Sequence, residues 1–142
     1  MAETAGEKLR RLVTERARGL CEYCRSPEAF APERFSLEHI RPRSADGPTN
    51  AENLALACQG CNNYKGVKTF AQDPETNNLA PLYNPRQQRW QDHFAWSEDS
   101  LPVNGLTPTG RATIVLLQLN RQRLCNLRYA LSAIQRHPPV AE

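Results

Sequence analysis

The sequence predicts a small α+β protein stapled by paired cysteines, and three observations carry that prediction. The first is Cys21-Glu-Tyr-Cys24 with Cys58-Gln-Gly-Cys61. Each Cys-x-x-Cys turn offers two thiolates, and two such turns complete the tetrahedral shell that zinc takes. The second is a pair of short strand-like runs, Phe35–Ile40 and the apolar Leu54–Ala57, with the turn-rich stretch Ser44-Ala-Asp-Gly-Pro-Thr-Asn50 between them. From about Gln59 to Lys68 the chain can turn helical, so the order is strand, long loop, strand, helix. The third is helical periodicity at both ends of the chain.

Taken in order, residues 4–17 place Leu9, Leu12, Val13 and Ala17 on one helix face, with Gly19 as the stop. The first cysteine pair follows, then a loop rich in Pro and charge over 25–34. The 33 residues between the cysteine pairs leave room for one inserted hairpin. Residues 70–86 read as irregular, and 85–93 as a short helix opened by Pro85. Phe94-Ala-Trp96 and Leu101-Pro-Val103 suggest a small hairpin. Two helices follow, over 110–117 and 121–135. Asn120 is the expected N-cap of the second, and Leu119 with Leu124 has the spacing of a hydrophobic staple. The tail, 137–142, is expected to fray. The organisation predicted is a core over 1–70, with its helix and cysteine knuckles, and a C-terminal extension over 71–142 packed on it as one domain.

A chain of 142 residues with a modest apolar fraction builds a small core, for which a structural metal is a physically reasonable staple. Fifteen of its eighteen cations are arginine, whose planar fork suits bidentate phosphate contacts. Residues 106–142 hold five Arg against one acid, a local excess of +4 that is compatible with a phosphate-binding face. No apolar run is long enough to span a bilayer, so no membrane role is expected. Charged residues recur from Glu3 to Arg18, where a signal peptide needs an apolar stretch. The expected location is the cytoplasm, where thiols stay reduced and the cysteine pairs read as a metal site rather than as disulfides.

Side chains alternate along a strand, so Glu38 and His39 point to opposite faces. Glu38, and Asn62 directly behind the last cysteine, offer oxygen donors suited to a hard ion such as Mg²⁺ or Mn²⁺. His39 has a near-neutral pKa and can take a proton from water. A base, an open-shell ion and nearby cations are the parts of phosphodiester hydrolysis. Arg41 and Arg43, two and four residues past His39, are candidates for phosphate contact, with solvated charge as the plainer alternative.

The string Cys-x-x-Cys … Leu37-Glu38-His39-Ile40-x-Pro-x-Ser-x-x-Gly … Glu52-Asn53-Leu54-x-Leu-x-Cys-x-x-Cys-Asn62-x-x-Lys65-Gly resembles the HNH endonuclease family, in its zinc-bearing, free-standing bacterial form. The resemblance covers residues 21–66. It implies the ββα-metal (His-Me finger) fold, structural Zn²⁺ on Cys21, Cys24, Cys58 and Cys61, catalytic Mg²⁺ or Mn²⁺, and cleavage of DNA. Carried over by position, His39 is the general base and Glu38 a metal ligand. Asn53 braces the loop and aligns the base. Asn62 stands where the family has its final His, as a ligand, and Lys65 lies near the phosphate. Tyr83-Asn-Pro-Arg86, His93-Phe-x-Trp96 and Gly105-Leu-Thr-Pro-Thr-Gly-Arg-Ala-Thr113 resemble such stand-alone proteins more weakly, and imply no role.

Two rival readings share these residues. A catalytically inactive zinc-dependent nucleic-acid-binding module uses the cysteines and arginines but has no need of His39 with Glu38 and Asn62. A structural or partner-binding zinc domain predicts no DNA affinity, whereas the other two predict binding that weakens steeply with salt. RNA stays open beside DNA as the substrate, and no feature fixes an oligomeric state. His93 reads as a packing residue beside Trp90 and Trp96, and Cys125 as a small buried apolar group. Arg121, Arg123 and Arg128 form either a solvated face or a patch for a DNA backbone.

Overall fold

Helix α1 (Ala5–Arg16) is opened by a capping box in which Thr4 Oγ1 accepts the Glu7 N–H and Glu7 returns a carboxylate to the Thr4 N–H. The computed structural model describes residues 2–140. Val13 and Ala17 are buried on the helix's inner face, whereas Leu12, at the edge of the stripe, is 42% exposed. Arg18 and Gly19 both take positive φ, and the chain turns there into the first cysteine pair. By its contacts the chain divides into two units, one running to Thr69 and joined by Asn84–Gln87, the other made of Phe70–Tyr83 and the chain from Gln88 on.

In the first unit, β1 (Ser36–His39) pairs antiparallel with β2 (Leu54–Ala57), with Glu38 opposite Ala55 and His39 opposite Leu54. Helix α2 (Gln59–Lys65) starts directly from the second cysteine pair and packs on β1, which completes a ββα unit. All four residues of β2 are fully buried, and among the described residues no third strand pairs with its outer edge. Backbone groups there need other partners, and side chains supply them. Glu22 exchanges two bonds with Leu56: its N–H donates to the Leu56 carbonyl and its Oε2 accepts the Leu56 N–H, each at 2.8 Å. Arg16 and Arg86 both donate to the Leu54 carbonyl, at 2.8 and 3.1 Å. Arg86 also pairs with the Glu22 carboxylate, so the Tyr83-Asn-Pro-Arg86 motif clips the first knuckle to the sheet. Replacing Arg86 by alanine strands a nearly buried carboxylate; the expected cost is about 3–5 kcal/mol, read as a lower urea midpoint for the first unit.

The second unit holds two hairpins, β3 (Phe70–Gln72) with β4 (Leu79–Pro81) and β5 (Phe94–Trp96) with β6 (Val103–Gly105). A short helix, α3 (Trp90–His93), leads into β5, and α4 (Pro108–Leu117) and α5 (Gln122–Ala133) complete it. Helix α4 packs against both hairpins. At Gly110 a Cβ would fall 2.1 Å from the His93 carbonyl oxygen, so only glycine permits that approach. Trp90 lies 5.0 Å from Phe94 and 5.3 Å from Trp96, which makes the tryptophans core rings.

Several local expectations are revised here. Residues 70–86, read as irregular, contain the β3–β4 hairpin. The helix expected over 85–93 is confined to its last four residues, and the second hairpin strand lies two residues later than expected. Asn120 does not cap α5: its amide pairs with both the N–H and the carbonyl of Val103, at 2.7 and 2.9 Å, and Arg121 takes the cap position. His93 bonds Thr107 and packs at a tilt against the Tyr83 ring. Cys125 is half-buried, not fully buried. Within the tail, His137 is buried against Trp96; residues 141 and 142 lie outside the described residues.

Asp73 is fully buried and held by a two-pronged Arg111 fork at 2.9 and 3.0 Å, with Thr76 and the Glu75 N–H completing its bonds. The Arg111 guanidinium holds this carboxyl well below the usual carboxylate range. A depressed folded-state pKa gives stability that is complete above the unfolded value, about 3.9, and is lost as pH falls through the folded value. Arg111→Met is therefore expected to lower the melting temperature of the second unit at pH 7. The gap to wild type should close as pH falls below about 4. A gap independent of pH over that range would show that the ion pair is not its cause.

Candidate active site

Cys21, Cys24, Cys58 and Cys61 are all buried and unbridged, with their sulfurs within 4.8 Å of one another. Cys24 and Cys58 Sγ are 3.7 Å apart. Four sulfurs around zinc at about 2.3 Å stand about 3.8 Å from each other, so the spacing is that of a tetrahedral thiolate shell. Within the cluster, hydrogen bonds from its neighbours hold the Cys58 thiol below the usual range, while burial pushes Cys21 up and hydrogen bonds from the other thiols push Cys61 up, so four thiolates together call for a cation. Cys58 also caps α2, its sulfur accepting the Cys61 N–H at 3.4 Å. The metal shell and the start of the site helix are one structure.

The alternation along β1 separates its two polar residues. Glu38 faces inward and is 3% exposed. Its Oε1 receives the Lys65 ammonium and the Tyr23 hydroxyl, each at 2.8 Å. Among the described residues, Oε2 is buried with no hydrogen-bond partner. Burial raises the Glu38 pKa, opposed by Lys65 and Tyr23. Burial, with the Glu38 charge, pushes the Tyr23 hydroxyl well up, so Tyr23 remains a donor. Asn62 is half-buried one helical turn before Lys65, on the same face of α2. An orphaned carboxylate oxygen and an amide on adjoining elements form a donor set that fits a hard divalent ion.

His39 points the other way and is partly exposed. Its Nε2 lies 2.8 Å from Thr49 Oγ1 and 3.3 Å from Arg43 Nε. An arginine can only donate, so this geometry assigns the lone pair to Nε2 and the proton to Nδ1. Burial, and then the Arg43 charge, lower the His39 pKa, which keeps the ring neutral near pH 7.

The loop that carries Arg43 and Thr49 is held by Asn53. Its Oδ1 accepts the Arg41 N–H, and its Nδ2 donates to the carbonyls of Arg41 and Pro48, all at 2.9 Å. The loop is so tight that a Cβ on Gly47 would fall 1.8 Å from the Arg41 carbonyl oxygen.

The structure brings Glu38 and Lys65 together on one side of β1 and His39 with Arg43 on the other; Asn62 lies on α2 one turn before Lys65, with no hydrogen bond to Glu38 among the described residues. Arg41 and Arg43 are exposed beside His39. Lys65, expected next to a phosphate, is 2% exposed and engaged by Glu38 and by the Ile40 carbonyl at 3.3 Å. The C-terminal arginines do not form one open face. Arg128 is buried, donates to the carbonyls of Leu101 and Leu119, and stacks over Trp96, and Arg121 caps the end of α4. Sequence reasoning missed Tyr23, Glu22 and Thr49. The first two occupy the spacer of the first Cys-x-x-Cys, where spacing draws attention to the cysteines alone. No helix among the described residues is long and apolar enough to cross a membrane.

Residues 21–68 match the HNH endonuclease family. A 52-residue stretch, 36% of this chain, is 44% identical to the CRISPR-associated endonuclease Cas9 of Corynebacterium diphtheriae, and the match spans 5% of that protein's length. No solved structure gives a significant match.

Proposed function

Since residues 21–68 are an HNH endonuclease segment, we propose that this protein is a divalent-metal-dependent endonuclease that hydrolyses DNA phosphodiester bonds. The observation that carries the proposal is the split at the end of β1: on one side a neutral histidine whose Nε2 lone pair is held only by the exposed side chains of Arg43 and Thr49, on the other a buried carboxylate with one unused oxygen.

His39 accepts a proton at Nε2 from the water that attacks phosphorus. Asn53 aligns it by fixing the loop that carries Thr49 and Arg43. Arg41 and Arg43 face solvent next to His39 and supply phosphate contacts. Glu38, through Oε2, and Asn62, through its amide oxygen, hold Mg²⁺ or Mn²⁺. An ion held by these two residues would supply Lewis-acid stabilisation of negative charge developing on the phosphate. The four cysteines hold structural zinc and take no part in the reaction. Thiolates kept for metal rather than bridged suit the reducing cytoplasm.

The test is supercoiled plasmid incubated with zinc-loaded protein and Mg²⁺, Mn²⁺ or EDTA. Nicking with either ion and none in EDTA is the expected result. No cleavage under any metal would sink the proposal. Salt-sensitive DNA binding without cleavage would then favour the inactive binding module.

A further inference from the structure

The Lys65 ammonium and the Glu38 carboxylate are each 2% exposed at the side chain and 2.8 Å apart. Glu38 and Asn62 offer one carboxylate and one neutral amide as the ion's protein ligands, so the ligand set carries a single negative charge. Lys65 cancels that charge from within. Glu22, in the spacer of the first cysteine pair, is itself paired with Arg86, and Arg43 lies beside His39 on the other side of β1. A dipositive ion entering this region meets no net negative charge, and a nearby buried cation repels it. A phosphodiester brings the missing negative charge.

We infer that Lys65 makes divalent-ion binding conditional on nucleic acid, so that ion and phosphate enter the site as a linked pair. The inference rests on the nuclease reading above, and it gives Lys65 a positioning role: it fixes Oε1, leaves the buried Oε2 without a hydrogen-bond partner, and keeps the free protein from retaining an ion. Linkage is reciprocal, so the ion tightens DNA binding by the same factor by which DNA tightens ion binding. A phosphate that touches the ion couples the two by itself; what marks Lys65 is the DNA-free protein, where removing a lysine that served only packing would weaken ion binding or leave it unchanged.

The experiment measures Mn²⁺ binding to the zinc-loaded full chain at pH 8.5, from the electron paramagnetic resonance signal of free Mn²⁺, without DNA and with a short duplex. The His39→Ala background keeps the duplex intact, and uptake by the duplex alone is subtracted. Fluorescence anisotropy of the duplex, with and without Mn²⁺, supplies the reciprocal measurement. The duplex is expected to raise Mn²⁺ affinity by about tenfold or more, with the same factor in the anisotropy. Lys65→Met that retains zinc is expected to raise the affinity of the DNA-free protein by a similar factor and to shrink the DNA effect.

Equal Mn²⁺ affinity with and without duplex overturns the inference, as does a zinc-loaded Lys65→Met that binds no better than its parent. Should Lys65→Met lose its zinc, Lys65→Gln, which removes the charge and keeps a donor for Glu38 Oε1, takes its place with the same expectation and the same overturning result. Plasmid cleavage by the parent chain separates the two levels. Metal-dependent nicking with no coupling removes this inference alone; no Mn²⁺ uptake in any state and no nicking removes the nuclease reading with it.

Discussion

His39→Ala should reduce nicking by roughly 10²–10⁴-fold, the usual contribution of a positioned general base, while zinc content and melting temperature stay close to wild type. The reason for expecting so clean a separation is the location of the side chain. His39 is only partly buried and its two partners, Thr49 and Arg43, are exposed and free to hydrate when the ring is gone. Apart from the His39 contacts to Thr49 and Arg43, the loop is held through three Asn53 bonds that the substitution leaves in place. The Glu38–Lys65 pair lies on the opposite face of β1 and is untouched. Residual activity should therefore report what bound ion and phosphate contacts achieve without a base. The check is a nicking time course beside zinc analysis and thermal melts. A variant within threefold of wild type would remove His39 as the base, and a variant that loses zinc would show that the ring has a structural role this geometry does not reveal.

The parts of this site that can be read in the sequence depend on short-range rules. Two Cys-x-x-Cys turns predict a thiolate shell because each turn fixes its own two sulfurs, and the structure gathers all four. Strand alternation separates Glu38 from His39 whatever surrounds them. The family match over residues 21–68 agrees with the resemblance drawn from those residues. What escapes the sequence depends on distant partners. Lys65 precedes a glycine in a polar helix and looks exposed; it is buried because Glu38, 27 residues earlier, takes its charge. Asn120 has every local qualification as a helix cap, yet two bonds to Val103 win over one cap bond. The β3–β4 hairpin has strands of three residues around a loop that reads as irregular, and it is fixed by packing on α4 and by the Asp73–Arg111 fork. Arg86 belongs to a motif without an evident purpose until its guanidinium is seen on Glu22 and the Leu54 carbonyl.

Removing the metal should unfold the first unit and spare the second. Structural zinc on thiolates supplies an apparent ~10–16 kcal/mol near neutral pH, as much as or more than the ~5–15 kcal/mol net stability of a whole domain. Here the shell joins the first knuckle, which satisfies the outer edge of β2 through Glu22, to the N-terminus of α2, which carries Asn62 and Lys65. Without the ion, four buried sulfurs lose their common partner, and both connections lose their anchor. Cys58→Ser is the sharper perturbation. Serine still caps a helix, so the variant loses the thiolate and retains the cap, and any collapse is assigned to the metal. The two tryptophans make the outcome separable by unit, since Trp90 and Trp96 both lie in the second unit, within its own aromatic core. Chelation or Cys58→Ser should abolish nicking and reduce far-ultraviolet circular dichroism by the contribution of α1 and α2, with tryptophan emission unchanged. Emission that shifts together with the helical signal would mean that the two units share one stability. Zinc-free protein that keeps both its helical signal and its nicking would show that the cysteine shell is dispensable to the fold.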